Sequence, residues 1–492
     1  MTKNIFILGL DEQNRHHLRS LRGAEGYNFH NLLTAAEVLE RDYYPLDEYL
    51  AKANYELDSY PGSVDAVCGY WDFPVSNLVP MLCQPRGLPS ASLEAVIKCE
   101  HKYWSRIEQR KVAPEAVPPF ARFDPYDDDA LDKLGLDFPF WIKPIKSFSS
   151  VLGFRINTPR EFHRAQDIIR ANIGRLATPF FNNVLRRIET PDEIHDTGHS
   201  LCIAEKLIGG RQCTLEGYVH DGEVTVYGAV DSIRLPNRTS FARYQYPSHL
   251  PRHVLSRMTD IAARVLLQVG YDRAPFNAEL YWDERRDKIW ILEINTRISQ
   301  SHCDLFKKVD GVSHHQVMVD CALGKRPDFP TREGDFRVAG KLFYRRHGDA
   351  YVRRVPSEEN LARIAEELPG TAISILPRPG MYLSDLKDQD SYTYILAILF
   401  LGGRSQEDLL AKYRQAIAML DFELEDVSAD EARRRAAPAA TPQPVPTPQP
   451  VELSSPAEAA ETPPGPAPQP PVPGKPAPQS SLEEAPGPTA TR

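Results

Sequence analysis

The feature that most narrows what this chain can fold into is a pair of apolar runs broken at every second position by a polar side chain. The first is FNAELYW, holding Phe276, Asn277, Ala278, Glu279, Leu280, Tyr281 and Trp282; the second is KIWILEIN, residues 288–295, and the polar stretch DERRD lies between them. Alternation of period two is the pattern of a strand with one face on a core. Two such runs joined by a short polar turn predict a hairpin. With a five-residue loop, odd positions face odd positions, so one face collects Leu280, Trp282, Trp290, Leu292 and Ile294 as core. The other collects Asn277, Glu279, Glu293 and Asn295. With four residues in the loop the two faces no longer match, and the register argument fails.

This second face brings two carboxylates and two amides within reach of one point, diagonal neighbours on a sheet lying about 7 Å apart at the backbone. Like charges so placed repel unless a cation lies between them. Every ligand atom on offer is a hard oxygen, and the hard cation that keeps waters and takes phosphate oxygens is Mg²⁺. A solvent-facing acidic stripe is the plainer alternative. Against it stand the apolar setting of the strand and its continuation into Arg297, a fork suited to phosphoryl oxygens.

Other features exclude whole classes. The net charge of −9 provides no basic field for nucleic acid. The 7 cysteines are scattered, without a Cys-x-x-Cys pair, which argues against both a zinc site and a disulfide framework and for a reducing compartment. The N-terminal MTKNIFILGLDEQ is too short in apolar residues for a secretion signal, and no run approaches the ~18 apolar residues of a membrane span. A cytoplasmic chain with no membrane partner is the expectation.

At 492 residues the chain exceeds one ordinary core. Residues 1–97 open with a strand at 4–9, and a second strand is expected at 63–69, which predicts a small Rossmann-like α/β layer; Gly9 stands alone, without a G-x-G-x-x-G fingerprint. The stretch 92–110 reads as one helix with Ser92 as N-cap and Lys98, Lys102 and Arg106 along a solvated basic face. Lys102 is kept as a candidate phosphate contact. Residues 138–154 read as strand, Ser-rich loop and strand, with Lys143 beside the loop and Ser147, Ser149, Ser150 and Gly153 within it, an arrangement able to wrap an anion though not a Walker loop. LCIAEKLIGG is a strand interrupted by Glu205 and Lys206, and it is expected to share an antiparallel sheet with the hairpin that turns on Asp221-Gly222, a type I′ signal. From 426 onward Pro, Ala, Gln and Thr dominate, the composition of a disordered, locally polyproline-II tail, either passive or a ligand for proline-reading modules.

Taken in order, FWIKP with Lys143, AEKLI with Glu205 and Lys206, FNAEL with Glu279, and LEINTR with Glu293, Asn295 and Arg297 resemble the ATP-grasp superfamily. The resemblance covers about residues 90–330. It implies an α/β (α+β) architecture: a Rossmann-like N-terminal domain over 1–97, an ATP-grasp domain over 98–330, and a C-terminal subdomain over 331–425. It further implies ATP and Mg²⁺ as cofactors. Lys143 would contact phosphates, with Lys102 near them. Glu205, Lys206, Leu207 and Ile208 would form the adenine hinge, Glu279, Glu293 and Asn295 would hold the metal, and Arg297 would stabilise the phosphoryl group in flight.

The chemistry so implied is activation of a carboxylate as acylphosphate, then capture by an amine such as an amino acid, with ADP released; the family's tendency to dimerise makes a homodimer the expectation. Arg234 and Arg243, in the irregular stretch DSIRLPNRTSFARYQYPSHLP, are candidates to clamp an acceptor carboxylate, and Ser301 and His302 are candidate substrate contacts. The metal strand is similar to that of biotin carboxylase, where a glutamate before histidine acts as base for bicarbonate. Ser301 stands there instead and is too weak a base, so a bicarbonate-using enzyme is the second reading and a nucleotide-binding scaffold the third.

Overall fold

A computed structural model describes residues 2–39, 44–146, 152–173, 183–195, 201–236, 240–386, 389 and 393–427. Three strands, β1 (Lys3–Leu8), β2 (Tyr27–Leu32) and β3 (Ala66–Cys68), form a parallel sheet in the order β2-β1-β3. Parallel pairing requires crossovers, and helices Glu12–Arg19 and Leu46–Asp58 lie between the strands in sequence. Ile5, Phe6, Ile7 and Leu8 are all buried, as expected where both faces of a sheet are covered. The Rossmann-like layer is therefore present, with its third strand shorter than the apolar stretch 63–69 suggested.

The helix expected over 92–110 is two helices, Leu93–Glu100 and Lys102–Val112. Ser92 caps the first, its hydroxyl accepting from the Ala95 N–H at 3.1 Å. His101 then leaves helical geometry, with ψ at 96°, and its Nδ1 accepts from the Trp104 N–H at 3.0 Å, capping the second. The break turns the second helix so that Arg106 points inward.

Strands β4 (Phe120–Phe123), β5 (Phe140–Pro144), β6 (Phe154–Ile156) and β7 (Cys202–Lys206) form a four-stranded antiparallel sheet ordered β4-β7-β5-β6. The remaining strands are β8 (Arg211–His220), β9 (Glu223–Arg234), β10 (Phe241–Tyr246), β11 (Ala274–Asp283), β12 (Lys288–Asn295), β13 (Val338–Arg346), β14 (Ala350–Arg354), β15 (Ala372–Ile375), β16 (Tyr394–Gly403) and β17 (Glu423–Asp426). Eight of them make one sheet ordered β12-β11-β8-β9-β10-β13-β16-β15, while β14 pairs with β17.

The AEKLI strand, β7, thus belongs to a different sheet from the β8–β9 hairpin, contrary to the expectation from sequence. The chain crosses between sheets at Gly209-Gly210. Gly210 has φ +129°, and a Cβ there would lie 2.1 Å from the Trp282 carbonyl oxygen, so no other residue fits without moving backbone. The Asp221-Gly222 turn is as expected: His220 pairs with Glu223, and both central residues have positive φ, +49° and +77°.

The β11–β12 turn departs from the five-residue loop. Asp283 pairs with Lys288, so only four residues turn the corner, and Leu280 faces Ile291. Continued unbroken, this register would put Glu279 opposite Leu292 and turn Glu293 to the buried face. A β-bulge at Leu292 corrects it, so that Glu279 pairs with Glu293 and Asn277 with Asn295. The core face accordingly holds Leu280, Trp282, Ile289, Ile291 and Ile294, while Trp290 and Leu292, expected in the core, are only half-buried. That core face packs on helix Arg252–Gln268 through Val254, Met258, Ile261 and Val265. The opposite face is covered by helix Cys303–Asp310 around Val230, Tyr246, Ala339 and Phe400; along the polar strip Gln212, Thr214 and Asn277 are buried, while Glu293 and Asn295 are half-buried.

Helix Glu358–Glu367 starts on Ser357 and helix Gln406–Met419 lies near its expected place. All seven cysteines are buried and unbridged. No described helix is long and apolar enough to cross a membrane. The Ser-rich loop positions 147–150 and the proline-rich stretch from 428 lie outside the described residues.

Candidate active site

The polar strip of the large sheet is built across strands. Directly opposite residues share a face, so the pairs Glu279–Glu293, Asn277–Asn295, Thr214–Glu279 and Gln212–Tyr281 put all these side chains on one side. Gln212 Nε2 donates to Glu279 at 2.8 Å; Asn295 Nδ2 donates to Asn277 Oδ1 at 2.9 Å and to Glu279 at 3.4 Å, which leaves the Asn295 carbonyl oxygen as an acceptor. Burial, and next the charge of Glu293, push the Glu279 carboxyl up to about 7. Two carboxylates that repel, beside an amide oxygen, fit a hard divalent cation. Among the described residues no three His, Cys, Asp or Glu converge as a metal group, so the set suits an ion that takes few protein ligands and fills its shell with water and phosphate oxygens.

Lys143 projects from β5 and Glu205 from β7, and they form an ion pair of 2.8 Å. The other Glu205 oxygen accepts from Arg106 Nε at 2.5 Å. Burial alone would raise the Glu205 carboxyl, but Arg106 and then Lys143 outweigh it and hold it near about 2. With both oxygens bound to cations, Glu205 has its side chain committed, and adenine reading would fall to the backbone that follows. Lys206 is exposed, with its N–H on the Pro119 carbonyl at 2.9 Å; Leu207 and Ile208 are half-buried.

Arg106 joins the two sheets. Beyond Glu205 it donates to the carbonyls of Ile291 (3.0 Å) and Leu292 (2.9 Å), the residues at the bulge that turns Glu293 into the site. A bulge points successive carbonyls out of the ladder, and a guanidinium has the donors to satisfy both. Arg106 is 3% exposed, so the solvated basic face expected of this helix is overturned at that residue. Lys102 does reach the site, with Nζ 3.8 Å from Glu293. Burial lowers its ammonium to about 8, with Glu293 opposing.

Arg297 does not face the strip freely. Its Nε and Nη2 grip Asp72, at the end of the parallel sheet, at 2.8 and 2.9 Å, and Nη1 lies 3.3 Å from the Ile298 carbonyl.

The candidate substrate residues separate. Tracing pairs Gln212–Ser232 and Ser232–Tyr244, Arg234 and Tyr244 fall on the acidic face, and Arg243, one residue from Tyr244, falls on the other. Arg234 donates to Gln212 Oε1 at 2.9 Å and stacks over Phe241; Arg243 donates to Gln245 at 3.0 Å away from the site. The pairing of both arginines on one acceptor is therefore overturned for Arg243. His302 is 3% exposed, with Nδ1 2.7 Å from Glu216 and the ring edge-on to Tyr244, so it supports the site from beneath. Burial, then Lys341 and Arg297, lower its imidazole to about 3, which keeps it neutral. Ser301 is half-buried and accepts from Lys341 Nζ at 2.9 Å. Arg106, Asp72 and Lys341 are the site residues that sequence reasoning passed over. The contacts that tie them to the site are distant in sequence, and only the basic stripe hinted at the first.

Residues 136–304 match the family model described as ATP-grasp domain. No curated protein matches the sequence. Solved structures do match. The L-amino acid ligase of Bacillus licheniformis superposes with TM-score 0.67 at 16% identity, over 86% of this chain and 98% of that one. N5-carboxyaminoimidazole synthetase of Staphylococcus aureus gives 0.56 at 12%, over 85% and 98%. Biotin carboxylase of Campylobacter jejuni, in its complex with β,γ-ATP, gives 0.54 at 12%, over 87% and 93%. These likenesses establish the fold.

Proposed function

Starting from a chain whose residues 136–304 form an ATP-grasp domain, we propose that it is an ATP- and Mg²⁺-dependent, ADP-forming ligase joining a carboxylate to an amine. The observation that carries the reading is the direct opposition of Glu279 and Glu293, with Asn295 beside them, on a face that Lys102 also reaches. The solved relatives named above include an amino acid ligase, which agrees with this chemistry.

In this reading Glu279, Glu293 and Asn295 hold Mg²⁺, which when bound neutralises and orients the terminal phosphates. Lys143 and Lys102 supply further positive charge to the phosphates, and the backbone after Glu205 seats the adenine. A substrate carboxylate oxygen bonds to the γ-phosphorus as the bond to ADP breaks. The amine then attacks the acyl carbon, inorganic phosphate departs, and the amine loses a proton. Such transfer asks for positioning and charge neutralisation more than for covalent chemistry by the protein. Arg297 can contribute only to the extent that Asp72 releases its fork. A bicarbonate-using reaction would need a base at Ser301, whose hydroxyl is bonded to Lys341. A cytoplasmic homodimer belongs to the same proposal.

The test is to incubate the protein with ATP, Mg²⁺ and pools of amino acids, or bicarbonate, and separate ADP from AMP. Amine-dependent ADP is expected. AMP would mean adenylation, and ATP binding without turnover would mean a scaffold; either outcome rejects the ligase.

A further inference from the structure

Lys341, on β13, stands on the same sheet face as Glu279, since it pairs with Tyr244, and Tyr244 traces through Ser232 and Gln212 to the acidic strip. Among the described residues its Nζ has one hydrogen-bond partner, Ser301 Oγ, and no carboxylate lies within ion-pair distance. The rings of Tyr244, Phe343 and Phe400, with centroids 5.6–6.0 Å from Nζ, surround it. Such rings soften the loss of water around an ammonium but leave its charge uncompensated. A methionine would fill the same space without that penalty. Lys341, Ser301, Tyr244 and Phe343 are each half-buried, so the residues around the ammonium are partly open to solvent, although burial lowers the ammonium to about 8.

The charge also stands on the sheet face that carries the acids. Tyr244 feels Glu279, Arg234 and Arg345 together, and His302 feels both Lys341 and Arg297. Arg234 and Arg345 are tied to Gln212 and to the Phe241 carbonyl and Thr393, whereas Lys341 and the Ser301 hydroxyl it donates to present two proton donors on one side. Two adjacent donors of this kind suit a carboxylate.

We infer that Lys341, with Ser301, anchors a carboxylate that the amine substrate keeps through the reaction, so that the substrate class is free α-amino acids and not simple amines. This deepens the ligase reading and rests on it. The activated carboxylate is a poorer occupant, because on phosphorylation its charge passes to the phosphoryl oxygens beside the metal and would leave Lys341 unbalanced midway. Glu279 and Lys341 lie four strand spacings apart, about 19 Å along a flat sheet, a span that the metal, the phosphoryl group, the acyl group and the amino acid would occupy together.

The test compares an amino acid with its carboxamide as amine, reading ADP release in wild type, Lys341→Met and Lys341→Arg. The wild type is expected to favour the acid, Lys341→Met to raise KM for the acid at least about tenfold while the acid-to-amide preference collapses, and Lys341→Arg to recover part of it. An unchanged acid-to-amide ratio in Lys341→Met overturns the inference. Retained ATP binding by each variant confirms folding. If no amine drives ADP release in wild type, the ligase reading falls separately, and the anchor is judged by calorimetry with MgADP present. Acid binding that Lys341→Met abolishes sustains it, and no binding of the acid to wild type overturns it.

Discussion

Glu279 and Glu293 face each other across one strand pair, so each raises the energy of the other's charge and a cation between them relieves both. Replacing Glu293 by Gln should reduce ADP release at least about a hundredfold while changing the melting temperature little, because the amide keeps shape and removes repulsion. Unchanged turnover would mean that the metal is held elsewhere. Arg106 carries a structural prediction. Arg106→Met leaves Glu205 with one cation and two bulge carbonyls without donors, and should cost about 3–5 kcal/mol by denaturant unfolding. Because the folded Glu205 carboxyl sits near about 2, below its unfolded value, its stabilisation is present above the ordinary carboxylate range and is lost as pH falls toward 2. The melting temperature of the wild type should therefore fall more steeply between about pH 4.3 and 2 than that of Arg106→Met; equal slopes would show that the triad contributes nothing. The acids and Asn295 were readable because alternation within ten residues marks them. Arg106, Asp72 and Lys341 were not, since their partners lie 99, 225 and 40 residues away and local pattern says nothing about them.

At the scale of elements, the hairpin reached the right polar face by a route that its sequence did not disclose. The turn is four residues, and Leu292 is looped out, which restores the division of side chains between the two faces expected of a five-residue turn, though with partners shifted by two residues. Turn length is a choice between near-equal conformers of a polar stretch, and the Arg106 donors that favour the bulge come from a distant helix. The strand containing Glu205 was likewise identified as a strand, but its sheet was not, because strand partners are set by long-range packing. Gly210 fixes that crossing. Gly210→Ala combines a backbone angle disfavoured for side chains with a 2.1 Å approach to Trp282, so it should destabilise by at least about 2 kcal/mol and weaken ATP binding by displacing the neighbouring backbone proposed to seat the adenine. Wild-type melting and nucleotide affinity in that variant would refute the role.

For the whole molecule, the proposed divisions after residues 97 and 330 do not divide the packing. One core joins Ile5 and Ile7 of the parallel sheet to Ile298, Met318 and Val319, another joins Phe6 and Leu8 to Phe140 and Phe162, and β13 extends the sheet that carries the acids. Shared cores couple unfolding, so calorimetry of residues 1–432 should give one transition with equal calorimetric and van't Hoff enthalpies. Two resolved peaks would show independent domains. The overall architecture was legible in the order of its motifs, whereas the continuity of the large sheet into residues 331–425 depends on the β10–β13 pairing and had no local signature. The central claim, that opposed acids hold a divalent ion under the nucleotide's outer phosphates, is tested most directly by titrating Mn²⁺ in place of Mg²⁺ with a non-hydrolysable ATP analogue and counting bound metal by electron paramagnetic resonance. The expected result is one nucleotide-dependent metal per chain that binds at least about tenfold more weakly in Glu279→Gln and Glu293→Gln; equal affinity in wild type and both variants would contradict it.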